Sequence, residues 1–278
     1  QPDKPVGREK KIIYSEVKNF ALKANLNILQ PEKIKNNEPF LSELRKINPD
    51  FIFVAAYGKI LTNDILNIPK FGCINVHSSL LPKYRGAAPI NWSIINGDKE
   101  TGVTIMEMDE GMDTGNIILS KKIAIAESDN VASLTEKLAS CGCDAIGEFV
   151  QKFLKTGSID SKPQDNSLAS IAPKIDKEKC KIDWSEKSFD ILNLIRGSNP
   201  WPGATTTLFK NKITIWEAKN AGPALAKPGS IKKIEKKMFV SCKDNEIEII
   251  KIQKSGKNVM DGKNFINGIL IDEKTCFN

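Results

Sequence analysis

The chain has 278 residues, enough for about two domains, and 40% of them are hydrophobic, so each domain can build a core. No apolar run reaches the roughly 18 residues of a membrane span, the polar, basic opening stretch has no signal-peptide pattern, and one histidine with six cysteines lacking CxxC spacing argues against a zinc site. Net charge is +7, yet residues 1–173 hold 21 basic and 21 acidic residues, so the whole excess lies in 174–278. That bias points to a polyanionic partner for the last third, or to a lysine-rich solvated surface.

In chain order, residues 15–26 have helical spacing, and 27–31 read as a short strand stopped by Pro31. Residues 36–49 form a helix with Phe40, Leu41, Leu44 and Ile47 on one side. The apolar run 50–58 predicts a strand buried on both faces of a parallel sheet. A strand ending at His77 follows, then a helix over 88–97, strands at 103–108 and 116–125, and a long amphipathic helix over 131–157 ended by Gly157. Alternating strands and helices predict an α/β domain over 1–157 with a doubly wound, largely parallel sheet. Residues 158–181 are polar, hold two prolines and read as a linker with little packing of its own. Over 182–278 a capped helix (185–198), a rigid NPWPG corner and five short strands predict a small OB-like β-barrel. Trp184 and Trp201 read as packing anchors, and the thiols as reduced and mostly buried in a cytoplasmic protein.

His77 is the candidate for chemistry. It closes the strand CINVH, and the C-terminal ends of strands in α/β sheets open into the ligand crevice. Asn75 lies two residues earlier, on the same strand face. Asp113, in GMDTG, follows the strand VTIMEM and reaches the same rim. A structural histidine and an Asx-turn aspartate are the plain alternatives. Together, however, the three can donate to an oxyanion (Asn75, His77) and move a proton (His77, Asp113). No Ser, Cys or Thr nucleophile is needed, which suggests direct attack of an amine on a bound acyl carbon.

Six stretches, QPDKPVGREKK (1–11), AAYGKIL (55–61), GCINVHSSLLPKYRGAAPINW (72–92), TGVTIMEMDEGMDTG (101–115), KIDW (181–184) and LIRGSNPWPGA (194–204), carry a resemblance. The chain resembles the folate-dependent formyltransferase superfamily, and within it the methionyl-tRNA formyltransferase family. The resemblance implies a Rossmann-like formyltransferase domain and an OB-like tRNA-binding domain. It also implies transfer of the formyl group of 10-formyltetrahydrofolate to the methionyl amine of initiator methionyl-tRNA, without a metal, by a monomer. Asn75, His77 and Asp113 match the family's catalytic trio. Ser79, Leu80, Leu81 and Pro82 match its folate-contacting loop. Tyr57 and Gly58 match a neighbouring loop near the pterin, with a simple strand-to-turn stop as the alternative. Lys4, Arg8, Lys10 and Lys11 match a loop that grips the tRNA acceptor arm, with a solvated charged loop as the alternative.

Two departures stand out. Glu9 replaces the family's usual second glycine, adding a negative charge to the basic loop. The family also opens with a strand, helix and second strand, about thirty residues not present here, and in a doubly wound sheet the first strand is central. The stretch is therefore expected to be an N-terminally truncated form, poorly stable and weakly active. The competing readings are a formyltransferase for a small amine (a sugar nucleotide or glycinamide ribonucleotide) and a non-catalytic RNA-binding remnant.

Overall fold

A computed structural model describes residues 1–6, 11–272 and 275–277. The chain opens on a hairpin, β1 (Lys4–Val6) and β2 (Lys11–Ile13), paired antiparallel with Lys4 opposite Ile13. Arg8, Glu9 and Lys10 lie outside the described residues. Helix α1 (Glu16–Lys23) is capped by the Ser15 hydroxyl but buries none of its side chains, and Val17 and Phe20 are exposed. Residues 27–31 are irregular rather than a strand.

Helix α2 (Glu38–Ile47) begins where the Asn37 side chain accepts the Phe40 N–H and ends at Asn48, which is left-handed ahead of Pro49. Its Leu41 packs with Ile34 and with Ile65 of the short helix α3 (Asn63–Leu66). Between them runs β3 (Ile52–Ala55). The expectation that this strand is buried on both faces fails: its residues alternate half-buried and exposed, with Phe53 exposed, because it is the edge of the described sheet.

The remaining strands of the first sheet are β4 (Cys73–His77), β5 (Glu100–Glu107) and β6 (Ile117–Ala124), in the order β3-β4-β5-β6. Only the β3–β4 pairing is parallel; β4–β5 and β5–β6 are antiparallel. The domain is α/β as expected, but the described sheet is mixed rather than largely parallel. The return from β5 to β6 is a local excursion instead of a helical crossover, and a parallel pair needs the crossover. Helix α4 (Pro89–Ile95) separates β4 from β5.

Helix α5 (Val131–Thr156) covers one sheet face. Leu134, Leu138, Ala145 and Phe149 form its buried stripe against Ile74, Val103 and Ile105. A capping box of Asn130 and Ser133 starts it, and Gly157, left-handed at φ 67°, ends it. Since α5 takes Ile74 and Val76, the strand alternation turns Asn75 and His77 to the opposite face.

The second domain pairs β7 (Ala204–Leu208), β8 (Asn211–Pro223), β9 (Ile231–Ile234), β10 (Lys237–Ser241), β11 (Asn245–Lys254) and β12 (Met260–Asp261) in one antiparallel sheet, flanked by α6 (Ser188–Gly197) and α7 (Gly262–Asn267). Register shifts along the β8–β11 ladder bend these long strands around a core of Ile213, Ile215, Met238, Ile247 and Ile252. This is the expected small β domain. Among the described residues its ladder path runs from β7 to β9 without a closing pair. Trp184 is a packing anchor, stacked on Phe277 at 5.3 Å, whereas Trp201 is 57% exposed.

Residues 158–181 correct the linker expectation most sharply. Ala172, Ile175 and Cys180 are buried, and backbone bonds tie the strap to Pro82, Arg85 and Ala88. Small apolar residues and backbone groups do this packing, so no hydrophobic period announces it.

Candidate active site

A cavity of about 740 Å³ opens at the rim of the first sheet beside Asn75 and His77, within the range of small-molecule sites. Asn75, His77 and Asp113 meet on its wall. Asn75 and His77 arrive as alternate residues of β4, opposite Met106 and Thr104 of β5. Asp113 arrives from the loop after β5, on backbone held left-handed at φ 57°.

The Asp113 carboxylate is the hub. Its Oδ1 accepts from Asn75 Nδ2 at 3.3 Å and lies 3.5 Å from His77 Nδ1, while Oδ2 accepts the Gly86 N–H at 2.8 Å. His77 is 6% exposed, and its Nε2 faces the Tyr84 carbonyl at 2.9 Å. A carbonyl only accepts, so Nε2 carries the hydrogen. In neutral imidazole Nδ1 is then a bare acceptor facing the carboxylate. A hydrogen on Nδ1 would lie between the ring and the carboxylate.

The predicted folate residues divide. Tyr57 and Gly58 line the cavity, and partial burial pushes the Tyr57 hydroxyl up from its ordinary pKa, so it stays a protonated donor. Ser79, Leu80, Leu81 and Pro82 do not line it. The Ser79 hydroxyl donates to Lys83 O at 2.6 Å, while Thr104 Oγ1 donates to Ser79 O at 2.7 Å and accepts the Leu81 N–H at 3.1 Å. With Ser79 fully buried, this turn turns its polar groups inward and supports the rim. A Ser-Leu-Leu-Pro turn reads alike in sequence whether it touches a ligand or the core.

Residues not singled out from sequence complete the wall. Ile60, Leu61, Ile90, Met106 and Met108 give it an apolar lining, with Asp109 and Glu110 at its mouth. Met106 shares a sheet face with Asn75, a pairing that only the strand register reveals. The lining suits a flat heteroaromatic ring with a polar tail. Lys4 and Lys11 lie on β1 and β2.

Comparison with known proteins gives the chain's family. Residues 1–150 match the family model described as formyl transferase, and 174–270 match formyl transferase, C-terminal domain. The chain is 47% identical to the methionyl-tRNA formyltransferase of Caldanaerobacter subterraneus subsp. tengcongensis, over 99% of this chain and 89% of that one. It is 41% identical to the Bacillus subtilis methionyl-tRNA formyltransferase over 98% of this chain and 86% of that one. Among solved structures, WlaRD, a sugar 3N-formyl transferase crystallised in the presence of dTDP and 5-N-formyl-THF, matches with TM-score 0.64 at 24% identity, covering 87% of this chain and 82% of that one. HypX from Aquifex aeolicus, in complex with tetrahydrofolic acid, matches with TM-score 0.65 at 19% identity over 86% of this chain and 43% of that one. Below 25% identity these two likenesses concern the fold alone.

Proposed function

This chain belongs to the formyl transferase family, and from that premise we propose that it moves the formyl group of 10-formyltetrahydrofolate onto the methionine amino group of initiator methionyl-tRNA. The observation that carries the reaction is the convergence of Asn75, His77 and Asp113 on one cavity wall. The substrate follows from near full-length identity of 41–47% to proteins of that activity. 10-Formyltetrahydrofolate supplies an activated formyl carbon, and the apolar lining with the Tyr57 hydroxyl fits its ring system.

Each residue has a task. The Asn75 amide donates to the formyl oxygen as negative charge gathers there. A preorganised donor of this kind is worth about 10²–10³ in rate. His77, on the same strand face, supports the oxyanion beside it. Asp113 receives the proton released by the attacking amine and hands it on toward the departing nitrogen. The apolar walls keep water from competing for the formyl carbon.

The tRNA is held elsewhere. Lys4, Arg8, Lys10 and Lys11 of the opening stretch meet the acceptor end, and exposed Lys233, Lys236, Lys237 and Lys254 extend a basic surface along the second domain. A small-amine substrate needs neither. The trio comes from a single chain, so a monomer suffices, and we place it in the cytoplasm. Among the described residues no helix is long and apolar enough to cross a membrane.

The test is formyl transfer to methionyl-tRNA by this chain and by His77→Ala. Transfer by the first and not the second supports the reading. Formylation of an amino sugar nucleotide instead would move the chain to the small-amine branch.

A further inference from the structure

Gln164 sits in the strap between the domains, half-buried, and its amide is bonded at both ends. Nε2 donates to Asp113 O at 2.9 Å and to Gly115 O at 2.8 Å. Oε1 accepts from Arg85 Nε at 3.0 Å and Nη2 at 2.7 Å. Arg85 is 7% exposed, and its other side-chain bond among the described residues goes to Asn166 Oδ1 at 2.8 Å. The next residue, Gly86, gives its N–H to Asp113 Oδ2.

One side chain therefore fastens two loops. It grips the backbone of Asp113, whose left-handed conformation persists only where its surroundings enforce it. Through Arg85 it also fixes the loop that offers the Gly86 donor to the Asp113 carboxylate. Gly115 anchors the far side, since a Cβ there would come within 1.9 Å of Glu107 O.

We propose that Gln164 is the positioning residue that aims the Asp113 carboxylate at Asn75 and His77, which makes the strap between the domains part of the catalytic apparatus. The inference rests on the role given to Asp113 above. Only an amide serves here. Glutamate keeps the bond to Arg85 but loses both donors to the Asp113 and Gly115 carbonyls, and methionine keeps the length and loses every bond.

The experiment uses the full chain with 10-formyltetrahydrofolate and methionyl-tRNA, measuring kcat, both KM values and the melting temperature. Gln164→Glu and Gln164→Met are each expected to lower kcat about 10–100-fold, the scale for a misplacement of about 1 Å. KM for the folate should stay within about twofold, because residue 164 does not line the cavity. In an Asp113→Asn background, Gln164→Glu should cost nothing further, since both changes disable one group. A structural role limited to holding Arg85 predicts the opposite, namely wild-type kcat in Gln164→Glu or losses that multiply in the double variant. Either result overturns the inference while wild-type transfer leaves the proposed function standing. No transfer by the wild type overturns both.

Discussion

Two aspartates in the first domain sit in dense polar networks, and their surroundings give them different work. Asp129 lies at the start of α5, 3% exposed, with every oxygen engaged. Its Oδ2 accepts the Ala126 N–H and Lys137 Nζ, each at 2.7 Å, and its Oδ1 accepts the Ser133 hydroxyl at 2.9 Å. Its own carbonyl accepts from Arg196 of α6 at 3.2 Å, linking the domains. Asp113 has one comparably short carboxylate bond, from Gly86 N–H at 2.8 Å. Its partners Asn75 and His77 stand at 3.3 and 3.5 Å, beside an open cavity. A saturated carboxylate holds structure; one fixed at its backbone and left loose at its oxygens can still move a proton.

The largest expected effect follows from that contrast. Asp113→Asn should lower kcat by about 10²–10⁴ with little change in melting temperature, the range for losing a general acid–base group; an inactive variant that also unfolds early would erase the distinction. Asn75→Ala comes next, at about 10²–10³ in kcat. It is read from single-turnover transfer at saturating folate, and an unchanged rate there would remove Asn75 from the oxyanion role.

Asp129→Asn should do the reverse, costing about 1–2 kcal/mol of stability by weakening the bonds the buried carboxylate accepts, since half-exposed Lys137 is screened by solvent, with kcat retained by the folded fraction. Burial pushes the Asp129 carboxyl up, but Lys137, the Ala126 N–H and the Ser133 hydroxyl outweigh it and hold the pKa below 3.8. A depressed native pKa stabilises the fold at pH above the ordinary value, and the contribution disappears as pH falls through the native one. Denaturant titrations from pH 6 down to pH 2 should therefore show a steeper acid loss in wild type than in Asp129→Asn. The smallest effect is Ser133→Ala, which removes half of the capping box and costs about 1 kcal/mol. A melting curve that does not move would show that Lys137 and the Ala126 N–H satisfy Asp129 without Ser133.

Much of this was legible because it is local. Asn75 and His77 share a face by strand alternation, and the amphipathic period with Gly157 brackets α5 within a residue of its observed ends. The short strands of the second domain also fall where their alternation places them. What was missed depends on long-range contact. Strand direction leaves no period, so the mixed sheet read as largely parallel. The turn at Ser79–Pro82 shows its inward bonding only beside Thr104. Gln164 carries no pattern, and its meaning comes from Asp113, 51 positions away.

Gly86 carries a consequence in time. Its φ of 115° and the Ala172 carbonyl, 2.9 Å from where a Cβ would stand, show loop and strap pressed together without room for a side chain. Ala172 N donates to Arg85 O at 2.7 Å across the same contact. Chains emerge from the ribosome N-terminus first. The strand bearing Asn75 and His77 can therefore pair with its neighbours long before residue 172 leaves the tunnel, but the loop at 85–86 lacks its contact with the strap until then. A nascent chain halted near residue 160 would hold the trio's residues without their final alignment, so catalytic competence is acquired late, as the strap arrives.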